Sequence, residues 1–563
     1  MAYTASVRIA LLASIGSFGC APASGPATGG NEPISTATVA AAGMIDARRL
    51  QQTVAVLAGD DFEGRGPASA GDLKTQNHLS MALDRMGYSP GGEDGTWLQP
   101  FDIVSVTATP PETWDFSTNT GTLALSYWDD FVAASGVQAP NAIISDAEVV
   151  FVGYGIRAPE YDWDDYKELD VSGKVLLMLN NDPDWDPELF AGNRRLYYGR
   201  WTYKYEIAAQ LGAAGAIIIH TTPSAGYPFQ VVQTSWSGAQ YELPVDQEPA
   251  AVVEAWITEE AARQLISFAG LDLAQLVESA RSPSFAPIDL GVTTSLHLEN
   301  NLSRVRTANV AGLLEGRDPV LKNEIVVFTA HHDHLGVGEP DDTGDTIYNG
   351  ALDNALGVAQ ILTVADAIQA LPAPPRRSIL MLFVAAEEQG LLGSAYYTLH
   401  PTFEPGKIAA NINLDAGNIW GRTRDITYIG YGKSSLDTVV ERAAAFQGRT
   451  VQGDQFPDRG FFYRSDQFSF AKIGVPAIYL DVGTDFVGRP EQWGVTQIES
   501  WEAVRYHQPS DELDDSWNFD GAIEDAQLAF YIGLSIAEED DMPTWNAGDE
   551  FEAARLAALA TRQ

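Results

Sequence analysis

The chain has 563 residues, long for one core, and its 45% apolar content with 13 tryptophans excludes a wholly disordered protein. A formal charge of −42, from 34 basic against 76 acidic residues, leaves no phosphate-neutralising surface and excludes nucleic acid as an expected partner. A single cysteine, Cys20, excludes an intrachain disulfide framework.

Residues 1–20 read as a signal peptide: a weakly basic start, the apolar run Ile9–Phe18, then Gly19-Cys20. The Gly-Cys ending resembles a bacterial lipobox. The expectation is an exported protein held at the cell envelope by a lipid anchor on Cys20, with periplasmic or secreted release as the rival. No other stretch reads as long and apolar enough to span a membrane. Residues 21–43 are expected to be a flexible tether, Gly/Pro/Ala/Ser-rich over Ala21–Thr36.

Residues 44–145 open the main domain. Ala47, Leu50, Val54 and Leu57 recur at helical spacing, and Leu73–Met86 reads as a second helix. Between them Asp60–Pro67 reads as a charged, solvated turn. Residues 146–287 read as a separate β-rich insert, with strands at Ala147–Gly153, Gly173–Met178, Ala216–His220 and Ala250–Ile257. Tyr205–Leu211 reads as a helix, and Thr258 as the N-cap of another. His220 ends an apolar run, but no acidic motif accompanies it, so it reads as a core or rim histidine.

From 288 to 540 strands and helices alternate as in a doubly wound α/β sheet. Expected strands are Ala308–Leu314, Glu324–His331, Ser378–Ala385, Ile408–Leu414 and Val475–Leu480. Expected helices are Asn354–Ala370, Leu391–Leu399, Leu436–Phe446 and Asp520–Ala537. Residues 541–563 read as an acidic, Ala-rich tail that packs or frays. Residues of metal-ligand type terminate these strands: His331, Asp353, the pair Glu387-Glu388, Asp415, and His507 in a late loop. Singly each is a weak signal. Two histidines and three carboxylates, with one acid spare, make the inventory of a two-zinc hydrolase. The loop Glu339–Asp345 is rich in oxygen ligands but lacks the spacing of a calcium loop, and reads as solvated.

Ala330–Gly336, Asn349–Gly357, Ala386–Ser394, Asn413–Gly417 and Tyr506-His507 resemble, in order and rough spacing, the successive motifs of zinc metallopeptidase family 28, which includes bacterial leucyl aminopeptidases and glutamate carboxypeptidase II. Asp60–Pro67 and the insert, which resembles a protease-associated domain, also look like bacterial members. The resemblance implies a doubly wound mixed sheet with helices on both faces and two Zn2+ per chain. It places His331, Asp353 and Asp415 on one zinc, with Asp353 bridging to a second held also by Glu388 and His507. Glu387 would be the general base, acting on a water between the metals, and Asp333 would orient a ligand imidazole. His332 would line the cleft and His334 hydrogen-bond locally. Tyr463 or Arg464 is a candidate substrate or oxyanion contact, with plain packing of Tyr463 and surface exposure of Arg464 as equal alternatives. Two positions depart from the family pattern: Gln467 stands where a histidine is usual, and Leu352 where an acid often precedes the bridging aspartate. The implied activity is an exopeptidase releasing N-terminal residues from peptides, with no obligate protein partner. The alternatives are a carboxypeptidase or dipeptidase on the same scaffold, using Arg464 or Arg489 for the substrate carboxylate, and a non-catalytic receptor-like binding protein.

Overall fold

The structure, a computed structural model, describes residues 34–562 apart from 188, 226, 246–249 and 342. The signal-like segment and Cys20 lie outside the described residues.

Four parallel strands form the centre of the main sheet. Ile325–His331 lies between Ser378–Val384 and Ile408–Leu414, and Ala477–Asp481 follows beyond Ile408–Leu414. The first three are Val/Ile/Leu/Phe-rich runs buried on both faces, as parallel strands must be. Antiparallel neighbours close the flanks: the end of Ile288–Leu314 beside Ser378–Val384, and Asp425–Ile429 beside Ala477–Asp481. Alternation sends Val326 and Phe328 to one face and Ile325 and Val327 to the other. Helices Gly357–Gln369 and Asp520–Glu538 cover the first face, and Leu392–Leu399 with Gln467–Lys472 the second. Gly533 permits this closeness, since a Cβ there would sit 2.2 Å from the Phe328 ring. The expected mixed, doubly wound sheet with helices on both faces is therefore present.

Ala351–Gln369 is long and apolar enough to cross a membrane, contrary to the sequence reading, yet 94% of its window is buried inside the fold. It is the central helix of the core.

Parallel strands also form the heart of the insert, where Gly215–His220 lies between Val175–Leu179 and Val253–Thr258. Helices pack on this sheet, and Thr258 caps one of them by accepting a hydrogen bond from Ala261 N at 3.1 Å. The insert core starts at Trp114 and Phe116, so this unit reaches back well before residue 146. One strand, Ile288–Leu314, serves both sheets. Two further boundaries differ from expectation. Thr36–Ala42 is a helix with Ala41 and Ala42 buried, so the tether reading fails for its last residues. The C-terminal stretch is no tail: Glu552–Ala560 is a helix, and buried Arg555 donates to the carbonyls of Ile408 and Pro543.

Candidate metal centre

The carboxyl ends of the parallel strands meet at one place. His331 is the last residue of its strand, Asp415 follows Leu414, and Glu387 lies three residues past Val384. Asp353 comes from the turn that opens the central helix, and His507 from a late loop. His331 Nε2 lies 3.1 Å from Asp353 Oδ1 and 3.1 Å from Asp415 Oδ1. His507 Nε2 lies 3.3 Å from Asp353 Oδ2 and 3.0 Å from Glu388 Oε2. Asp353 thus turns one carboxylate oxygen to each of two donor sets.

Those separations fit zinc. Two ligands about 2.0–2.1 Å from a tetrahedral ion stand about 3.3 Å from each other. His507 Nε2 makes no hydrogen bond of acceptable geometry despite its two carboxylate neighbours. His331, Asp353 and Asp415 form one group of potential ligands, His334, Asp353 and Glu388 a second, and His331, Glu387 and Glu388 a third.

The charges respond strongly to each other. Burial opposes charging of His331, but the Asp415 and Glu387 carboxylates and the hydrogen bond with Asp353 outweigh it and hold the imidazole well above its ordinary value. Burial likewise pushes Asp353 up, and its close contacts with His331 and His507 bring it well below the usual carboxylate range. Glu387 goes the other way. Burial and the negative charges of Asp415, Glu388 and Asp466 outweigh His331 and raise it well above 4.5. Its carboxylate accepts no hydrogen bond from the described residues and lines the pocket beside the ligand set.

A ring of supporting groups holds the ligands. Asp333 Oδ1 accepts from Glu387 N at 3.2 Å and its carbonyl lies 3.3 Å from His331 Nδ1, so it orients both the imidazole and the Glu387 loop. His334 Nδ1 contacts Glu388 Oε1 at 2.6 Å, a partner 54 residues along the chain rather than the local one expected. Other members were invisible in the sequence. Asp511 accepts from Leu352 N and Asp353 N at 3.0 and 3.1 Å and fixes the backbone at Asp353. Leu352 contributes its amide here and its side chain to the pocket wall, so no acid is needed at that position for this bond. Ser465 Oγ donates to Asp415 Oδ2 at 2.5 Å. Asn413 donates to Ser465 Oγ and Gln467 Oε1, and Gln467 donates to the Phe462 carbonyl. Gln467 is thus one link in a buried amide chain leading to Asp415.

Asp60–Pro67 is not a solvated turn. Arg65 is 1% exposed and donates to the carbonyls of Leu57, His332, Asn349 and Gly350, clasping the two segments that deliver His331 and Asp353. Gly64, at φ 62°, makes the clasp fit, because a Cβ there would lie 2.4 Å from the Gly336 and Tyr348 carbonyls.

Three expected contacts move. His332 does not line the cleft; it is buried, with Nε2 3.2 Å from Asp72 Oδ1. Tyr463 is buried too, and its hydroxyl donates to Glu550 at 2.6 Å, which removes it as a substrate contact. Arg489 stacks on Trp493 and is absent from the pocket lining, whereas Arg464 lies over Phe461 at the pocket wall. Tyr506 lines the pocket instead, its ring stacked 3.8 Å from that of His507.

Residues 309–531 match the family model described as Peptidase family M28. The match covers less than half of the chain. Every ligand-type residue above falls inside it, and the insert outside. Leupeptin-inactivating enzyme 1 of Streptomyces exfoliatus is 25% identical over 227 residues, 40% of this chain and 47% of that protein. Probable leucine aminopeptidase 2 of Aspergillus fumigatus is 26% identical over 266 residues, 45% of this chain and 49% of its own. The matched segments thus span about half the length of these curated relatives. The solved aminopeptidase from Aneurinibacillus sp. strain AM-1 is 17% identical, with TM-score 0.48 over 90% of this chain and 97% of that one.

Proposed function

We propose that the protein is a two-zinc aminopeptidase. The observation that carries this reading is the pair of Asp353 oxygens, each facing a different histidine, with the uncommitted Glu387 carboxylate beside them. His331, Asp353 and Asp415 would hold one zinc, and Asp353, Glu388 and His507 the other. Bound zinc would supply Lewis acidity toward the scissile carbonyl and would lower the pKa of a water toward neutrality. The residues of the chain do the rest. Glu387, raised by burial and acidic neighbours, is a base that takes the proton of the attacking water on its carboxylate and returns it to the leaving amine. Tyr506, stacked on His507 at the pocket edge, is placed to donate its hydroxyl proton to the developing oxyanion. The surrounding carboxylates suit the free α-ammonium of a peptide.

One observation favours the carboxypeptidase or dipeptidase reading: Arg464 lines the pocket without a carboxylate partner among the described residues. Amino-acid p-nitroanilides and N-blocked peptides separate the two. Chelator-sensitive release from free-amine substrates supports the aminopeptidase; hydrolysis confined to substrates with a free carboxylate overturns it. Metal analysis should find two zinc ions per chain. In the same reading the insert is protease-associated-like and the protein is exported through residues 1–20, which cell fractionation tests.

A further inference from the structure

The metal centre opens into a pocket of about 290 Å³ whose floor is made by one pair of antiparallel strands. Register sets that floor. Thr427 pairs with Asp481 and Ile429 with Tyr479, so all four side chains project from the same face, and all four line the pocket. The Tyr479 hydroxyl reaches the Asp415 carbonyl at 3.4 Å, which fixes that end against the metal ligands. Asp481 lies two residues further along the strand, about 7 Å on. Trp420, Phe456 and Trp501 wall the space between. The result is an apolar sleeve with a carboxylate inside it, set back from the reacting centre.

That carboxylate has no cationic partner among the described residues. One oxygen accepts from Val482 N at 2.7 Å, a bond to the adjacent residue. The charges acting on Asp481 are those of Asp454, Asp415 and Glu502, all negative; with burial, the largest cause, they raise it to about 7. Neither pocket guanidinium pairs with Asp481: Arg459 lies over Phe456 and 3.8 Å from Glu502, and Arg464 lies over Phe461. A structural carboxylate in an enclosed site is normally matched by a cation or several donors. This one faces open space beside the candidate metal centre.

We propose that the pocket selects a lysine or arginine side chain at the residue beside the scissile bond, with Asp481 as the group that recognises its charge. The aromatic sleeve takes the methylene stem and offers ring faces to the cation. The inference rests on the peptidase reading for the word substrate, but recognition by Asp481 is measurable without turnover.

Two measurements test it. Calorimetry on the zinc-loaded Glu387→Gln protein compares lysinamide with norleucinamide, which has a similar stem and no terminal charge. Lysinamide should bind about tenfold tighter or more, and adding Asp481→Asn should abolish the difference. Equal binding of the two ligands, or a preference that survives Asp481→Asn, overturns the proposal. In parallel, the ratio of kcat/KM for lysyl- over leucyl-p-nitroanilide should fall about tenfold or more in Asp481→Asn, with Asp481→Ser as a second variant should the first fail to fold. Leucyl turnover with no lysyl preference sinks the recognition and spares the peptidase. A binding preference without turnover of any aminoacyl substrate does the reverse.

Discussion

Among the described residues two histidines end buried parallel strands, and one of the two, His331, sits among the candidate metal ligands. Gly215–His220 and Ile325–His331 are alike in composition, burial and position within a sheet. His331 ends between Asp353 and Asp415; against burial, the Asp415 and Glu387 charges and the hydrogen bonds with Asp353 and Asp415 raise its pKa well above the ordinary value. His220 ends among Tyr227, Phe229 and Trp256, with Nε2 3.1 Å from the Tyr227 carbonyl, and burial lowers its pKa. The strand supplies a fixed backbone in both cases. What differs is the loops that follow, which bring carboxylates in one sheet and aromatic rings in the other.

The contrast can be broken at several points. Glu387→Gln should lower kcat roughly 10³-fold while two zinc ions stay bound, whereas His220→Ala should leave kcat/KM within about threefold; steady-state kinetics with metal analysis decides both. Arg65→Ala leaves four buried carbonyls without their donor. It should cost about 3 kcal/mol or more of stability, read by denaturant unfolding, with loss of metal as the loops that carry His331 and Asp353 loosen. Chelation should lower Tm, since at 100-fold excess over Kd bound metal contributes about 2.7 kcal/mol; His331→Ala, left with the second ligand set alone, should show a smaller response to chelator. Ser465→Ala removes the bond to Asp415 and should weaken zinc about 10- to 100-fold in competition with a chromogenic chelator.

The smallest effect lies in the insert. Burial and the nearby Glu242 and Glu206 raise Glu254 to about 8 from its ordinary 4.5. Between those values the folded chain binds more protons than the unfolded one, so stability falls as pH rises from 4.5 to 8, and the full cost stands above 8. Glu254→Gln should therefore stabilise on the order of 1 kcal/mol at pH 8.5 and nothing at pH 4, by thermal melts at both.

The same contrast shows what the sequence could reveal. Strands buried on both faces are continuous apolar runs, so the central sheet and its terminal ligand-type residues were legible by composition and position. The supporting groups were not. Arg65 sits in a stretch of six polar or glycine residues and one phenylalanine, and only the fold shows four carbonyls converging on it. Asp511 and Ser465 act through bonds to segments more than 45 residues away, which no local pattern encodes. Tyr463 and Tyr506 are both tyrosines near aromatic runs. Glu550, far along the chain, engages the first, while the second lines the pocket. The insert boundary was missed because strands such as Gly121–Ser126 bury little of their surface and carry weak alternation.

The strand Ile288–Leu314 has a consequence for how this molecule comes apart. Its first third is buried on alternate residues in the insert sheet, its exposed middle is paired with Leu98–Thr109, and its end is buried on both faces beside Ser378–Val384. A second tie crosses elsewhere, where Lys472 meets Glu206 and Arg195 N donates to the Pro457 carbonyl. The insert is spliced in through a shared β-ribbon, and neither sheet can melt without fraying the other. A scanning calorimeter should record one cooperative endotherm for both cores, and excising the insert should cost the peptidase sheet its own edge.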